Sequence, residues 1–166
     1  MKRLILLSIC CLAGIFMANA QKFALIDMEY IMENIPAYQR ANNELELASQ
    51  QYQKAIEAKM KEAETLYTAY QKASATLSAT QRTQKEEAII AKEKEAAELR
   101  QKYFGPEGEM AKKEEALIIP IQNQIYEAVK QISQQRGYDA VIDRASATSI
   151  IFASPRIDIS NEVLSK

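Results

Sequence analysis

Between Leu45 and Leu77, apolar or small residues recur mostly at spacings of three and four: Leu45, Ala48, Tyr52, Ile56, Met60, Ala63, Tyr67, Tyr70 and Leu77. Such spacing draws a narrow stripe along one helix face, the pattern of a coiled-coil seam. The stripe is rich in Ala and Tyr and poor in Leu, so the helix requires a partner to be stable. Helix formers continue from about Ala41 to about Arg136, with Pro106 and Pro120 among them. The lead-in ENIPAYQRANNE carries Pro36 at a position suited to a first helical turn. After Pro120, Ile121, Ile125, Ala128, Val129 and Ile132 share a helix face, and Gly137 is placed to end it. Phe23–Met28, YDAVID (138–143) and TSIIFA (148–153) read as strands, the last two joined by a polar turn. A short closing helix over DISNEVLSK is expected to take Asp158 or Ser160 as its cap.

Two segments compete as the place where the long helix doubles back. A reversal at FGPEGE (104–109) leaves one arm roughly twice as long as the other, and half of it unpaired. The alternative is SATLSATQ (74–81), where Ser and Thr cluster and Ser78 with Gln81 fits a capping box. Pro36 and Pro120 are equidistant from Ser78, as base markers of matching arms should be. The expectation is therefore an antiparallel hairpin over 41–116 with its tip near Ser78, each arm about 55 Å long. Gly105, Pro106 and Gly108 then mark a joint in the descending arm. Residues 21–40 and 117–166 supply a small α/β body of short strands and helices. That body buries little core alone, and self-association would cover its strand edges. The fold class is α+β, mostly α.

The first twenty residues, MKRLILLSICCLAGIFMANA, have a basic start, an apolar run and an Ala-Asn-Ala end. This is the layout of an export signal cleaved after Ala20. Both cysteines, Cys10 and Cys11, lie within it, and the chain has no histidine. Beyond residue 20 that rules out Cys–His and Ser–His–Asp catalysis and argues against a zinc site. Asp27, Glu29, Asp139 and Asp143 show no calcium-loop spacing, and no glycine loop suggests a phosphate cofactor. No cofactor or metal is expected. Without Lys2 and Arg3 the balance is 19 basic against 22 acidic residues, 19 − 22 = −3. A nucleic-acid binder would show a basic stripe instead.

FALIDMEYIM, the hairpin turning near Ser78, PIQNQIYEAVKQISQQRGYDAVID and DISNEVLSK occur here in an order that resembles the Skp/OmpH family of periplasmic chaperones. The likeness extends over about Lys22 to Lys166. It implies a jellyfish-like homotrimer whose body is built from the strands of three subunits and whose helical hairpins hang as tentacles around a cavity. It further implies a non-enzymatic, ATP-independent holdase of the periplasm that keeps unfolded outer-membrane β-barrel proteins from aggregating. Well-known members are strongly basic; the near-neutral balance here departs from them and lends no support to contact with a membrane surface.

Two uses stand open for the arm aromatics Tyr52, Tyr67, Tyr70, Tyr103 and Phe104: contact with client segments, or packing of the hairpin seam. The Lys/Glu run KEEAIIAKEKEAAELRQK reads as a solvated face with intrahelical pairs. Phe23, Leu25, Val141, Ile142, Ile150, Ile151 and Phe152 are expected to serve both a subunit's own core and the trimer seam. A fixed-partner periplasmic coiled-coil scaffold or adaptor is the competing function. It predicts one saturable partner and no general suppression of aggregation.

Overall fold

The computed structural model describes residues 21–147 and 149–166; the expected export signal lies outside them. Its elements are β1 (Phe23–Ile26), α1 (Met28–Glu33), α2 (Pro36–Ala73), a 3-10 turn (Ser74–Thr76), α3 (Ala79–Phe104), α4 (Glu109–Arg136), β2 (Ala140–Asp143), a second 3-10 turn (Pro155–Ile157) and α5 (Ser160–Leu164). The chain divides into two compact units, Ile35–Asn123 on one hand and the flanking segments up to Asn34 and from Gln124 on the other.

The unit over Ile35–Asn123 is a helical hairpin. Pro36 opens α2 at a position where its missing N–H has no helical partner to lose. The helix ends in the 3-10 turn, Leu77 is extended, and Ser78 caps α3. The capping box is complete: Ser78 Oγ accepts from the Gln81 N–H at 3.3 Å, and Gln81 Oε1 accepts from the Ser78 N–H at 2.9 Å. Two donors of the helix start are thereby satisfied by the serine-rich sequence itself. Ala41, Ala48, Ile56 and Ala63 are buried on α2, and Ile89 and Ala96 on α3. Most of these buried side chains are small, which lets the two backbones approach closely.

FGPEGE interrupts the descending arm without reversing it. The Gly105 N–H donates to Gln101 O at 2.9 Å, Gly108 N–H to Gly105 O at 2.8 Å, and Lys112 N–H to Gly108 O at 3.1 Å. The break is thus a closed turn that ends one helix and starts the next. A Cβ on Gly108 would lie 2.8 Å from Tyr103 O and 2.9 Å from both Gly105 N and Gly105 O. Glycine is required here by close backbone approach. Helix α4 then runs unbroken from Glu109 through Pro120, where the sequence pattern suggested a fresh start. Pro120 removes the hydrogen bond to Ala116 O and crowds that carbonyl, but both residues are exposed, so water can satisfy the freed acceptor.

In the other unit β1 and β2 pair in parallel, Phe23 opposite Ala140 and Ile26 opposite Asp143. The far side of β1 is met by a single bridge, Leu25 to Asp158, with the Ile159 N–H donating to Leu25 O at 2.9 Å. Ala24, Leu25, Ile26, Ile31, Ile125, Ile132, Ile159 and Val163 form the core. Gly137, with φ 68°, ends α4, and the Tyr138 N–H closes the turn on Ser133 O at 3.0 Å. Asp27 caps α1, a helix the sequence reading missed by extending the strand to Met28.

One expected strand does not form. Residues 149–153 of TSIIFA carry no strand pairing, and Thr148 lies outside the described residues. The segment has the β-branched and aromatic composition of a strand, but its described residues do not pair with the open outer edge of β2. The described body therefore holds two strands, where three were expected.

Candidate functional site

On the hairpin, Tyr52 of α2 stacks on Tyr103 of α3 with centroids 4.1 Å apart and planes 6° apart. Phe104 meets the Tyr52 ring edge-on at 6.3 Å and 83°. Tyr52 and Tyr103 therefore belong to the seam, and Phe104 sits at its edge beside the glycine turn, half in contact with Tyr52 and half exposed. Tyr70 also reaches across the arms, its hydroxyl donating to Glu86 Oε1. That acceptor carboxylate, first among the causes, pushes the Tyr70 phenol above its ordinary pKa. Tyr67 is half-exposed and, of the five arm aromatics, stands apart from these cross-arm contacts.

Midway along the seam lies an ion quartet; the intrahelical pair Lys92–Glu95 within the run 85–102 was expected, while its cross-arm contacts to Lys59 and Glu62 were not. Lys59 contacts Glu62 at 3.5 Å within α2 and Glu95 at 3.0 Å across the hairpin. Lys92 contacts Glu95 at 3.1 Å within α3 and Glu62 at 3.1 Å across it. The signal was present as two Lys-x-x-Glu repeats, 59–62 and 92–95, mirrored about the turn. The Lys92 ammonium, by hydrogen bonding, holds Glu62 below the usual carboxylate range, and Lys59 does the same to Glu95. Lys92 is raised in turn, chiefly by Glu95. A one-step slip of either helix disturbs the two cross-arm pairs, Lys59–Glu95 and Lys92–Glu62, and leaves the intrahelical pairs in place, so the cross-arm half of the quartet favours this register. Nearer the hairpin's open end, Lys113 Nζ donates to Glu44 Oε1 at 2.6 Å, and this bond raises the lysine.

The hairpin keeps apolar side chains on its outside. Leu47, Met60, Tyr67, Ile90 and Phe104 are all substantially exposed. Met60, Phe104 and Arg100 line a groove of ≈ 430 Å³ together with Gln53, Ile56 and Glu57.

In the other unit the expected association residues separate into two sets. Leu25 is buried and belongs to the protomer's own core, while Val141 and Ile150 are half-buried. Phe23 and Ile142 are exposed, Ile151 is 100% exposed and Phe152 85% exposed. The outer edge of β2 has no strand partner among the described residues.

The aspartates of this unit are occupied with its construction. Asp27 Oδ2 accepts from Arg144 Nε at 3.1 Å, and Arg144 also contacts Asp158 at 3.3 Å. Asp143 Oδ1 accepts from the Met28 and Ala145 N–H groups, each at 3.1 Å. Burial raises the Asp143 carboxyl, but hydrogen bonds from the Met28 N–H, from Ser146 and from the Ala145 N–H together outweigh it and leave the pKa lowered. The buried Ser160 hydroxyl donates to Asp158 Oδ1 at 2.6 Å and accepts from the Asp27 N–H at 2.9 Å. Asp139 Oδ2 takes the Lys22 N–H at 2.7 Å. Among the described residues no cluster of His, Cys, Asp or Glu could hold a metal ion, and no helix is long and apolar enough to cross a membrane.

A long antiparallel hairpin with exposed apolar side chains, together with a small parallel sheet, defines an α+β, mostly helical protein. The family follows from comparison. The family model for OmpH-like outer membrane proteins matches residues 22–166, and the chain belongs to this Skp/OmpH-like family of outer-membrane chaperones. It is similar to the chaperone protein Skp of Yersinia enterocolitica, 26% identical over 153 residues that cover 92% of this chain and 90% of that protein. A crystal structure described as an OmpH-like outer membrane chaperone, from Caulobacter crescentus CB15, shares the fold with a TM-score of 0.69. The match has 14% identity and covers 87% of this chain and 82% of that one.

Proposed function

We propose that this protein is an ATP-independent holdase that acts in the periplasm after removal of residues 1–20. It would bind unfolded outer-membrane β-barrel proteins between the helical hairpins of associated copies and keep them from aggregating, without catalysing a reaction. The observation that carries this reading is the hairpin itself. Its register is set by cross-arm rings and charges, while Leu47, Met60, Tyr67, Ile90 and Phe104 remain exposed. Scattered, adaptable apolar side chains such as Met60 suit clients that differ in sequence, because no single contact has to be satisfied.

Residues 41–116 supply the client-facing arms, and residues 21–40 and 117–166 supply the association body. Phe23, Ile142, Ile151 and Phe152 are the exposed apolar residues available for a homotrimer seam, beside the unpaired edge of β2. Covering them removes apolar surface from water at about 25 cal/mol per Å². Native mass spectrometry of residues 21–166, mixed without nucleotide with a urea-diluted β-barrel protein, tests the reading. The expected species contains three chains and one client. A chain that ignores the unfolded barrel yet takes one saturating partner from a periplasmic extract is a scaffold instead.

A further inference from the structure

We propose that the groove at Met60, Arg100 and Phe104 takes an aromatic side chain of an extended client segment; this rests on the holdase reading and names the contact site within it. Three observations converge on an aromatic occupant. The Arg100 guanidinium reaches Met60 Sδ at 3.9 Å and no carboxylate among the described residues, so its charge is available to the groove. A guanidinium in that state is attracted to a ring face. Met60 is 51% exposed, and its thioether is the side chain that contacts rings most adaptably. Phe104 is 40% exposed and braced edge-on by Tyr52, so it offers a fixed aromatic wall.

The buried Ile56 closes the groove floor, and its volume of ≈ 430 Å³ falls in the range of clefts that enclose small organic groups. Its wall is preorganised by the glycine turn. Phe104 is the last residue of α3, and the Gly105 N–H fastens that helix end to Gln101 O. Barrel strands bring the matching chemistry, since they alternate apolar and polar residues and carry girdles of aromatic side chains. An unfolded barrel therefore presents many single aromatics on otherwise polar, extended backbone. A groove that holds one ring at a time suits such a client without reading its sequence.

The test uses residues 21–166 with a photo-cross-linking benzoyl-phenylalanine at Glu57 on the groove rim, and a control bearing it at Glu98. The probe is a urea-denatured eight-stranded outer-membrane barrel protein diluted into buffer. Client affinity is read by the client's tryptophan fluorescence, to which this chain contributes nothing because it has no tryptophan. The expected result is a client adduct several-fold stronger from position 57 than from 98, mapped to residues at or next to Phe, Tyr or Trp. Arg100→Gln with Met60→Gln should weaken client binding about 5-fold, the order of one lost cation–π and one lost sulfur–aromatic contact. Both positions are exposed, and an unchanged far-UV spectrum verifies folding; Arg100→Gln alone is the milder second variant.

Equal adducts from 57 and 98, or variants that bind as tightly as the parent, overturn the groove while leaving the holdase reading standing. Adducts to a second copy of the chain overturn it as well. Failure of the parent protein to bind the barrel at all overturns both.

Discussion

Gly108→Ala separates two descriptions of FGPEGE by the sign of its effect. If the segment were a loose hinge, alanine would stabilise the protein by about 0.4–1 kcal/mol, because it restricts the unfolded chain. The structure predicts the opposite. The new Cβ would meet Tyr103 O at 2.8 Å and Gly105 N and O at 2.9 Å. All three are backbone atoms of the same closed turn, so no side chain can swing away. Relief requires moving the helix end that carries Tyr103 and Phe104, and with it their contacts to Tyr52. Overpacking of this kind costs about 2 kcal/mol. For a chain of this length that lowers the melting temperature by about 4–8 °C. Thermal unfolding followed at 222 nm, at one fixed protomer concentration, reads the shift. Hydrogen exchange at the Lys112 amide, which donates to Gly108 O, should accelerate as well. An unchanged or raised melting temperature would refute the packed turn and restore the hinge.

Other expectations concern the seam and the core. Glu62 and Glu95 are held below the ordinary carboxylate range, so their contribution is present above the unfolded value of about 4.3 and is lost as pH falls through their folded values. Lys92 is raised, so its contribution is present below the unfolded value of about 10.4 and is lost as pH rises through its folded value. A pH series of hairpin melting should show a plateau between those limits, flatter in Glu62→Gln and in high salt. Tyr52→Ala removes the partner of both Tyr103 and Phe104; for a half-buried ring the expected cost is about 2 kcal/mol, measured by urea unfolding. Ile132→Ala empties a fully buried site and should cost about 3 kcal/mol in the same assay.

The hairpin and its reversal were legible because the signals are local. Seam spacing, the Ser78–Gln81 box and Pro36 at a helix start each act within a few residues. Helix α1 was missed because Asp27 continues an apolar strand in sequence, and only its side-chain bond to the Tyr30 N–H at 2.9 Å shows it to be a cap. The strand expected at 148–153 failed for the converse reason. Composition records a preference for β structure but not a pairing, and the described residues of this segment make none although the outer edge of β2 is open. At Gly105 and Gly108 the sequence indicates freedom, but the folded turn uses the absence of a Cβ for close packing. The Lys59–Glu62–Lys92–Glu95 quartet depends on two arms coming into register, and spacing within one arm reveals only its intrahelical half.

The holdase reading is tested most directly by light scattering from an outer-membrane β-barrel protein diluted out of urea into residues 21–166, with no nucleotide present. Scattering should stay near the buffer baseline once three chains are supplied per client, and should return when the chain is omitted. Scattering that rises to the same level with or without the chain would contradict the account.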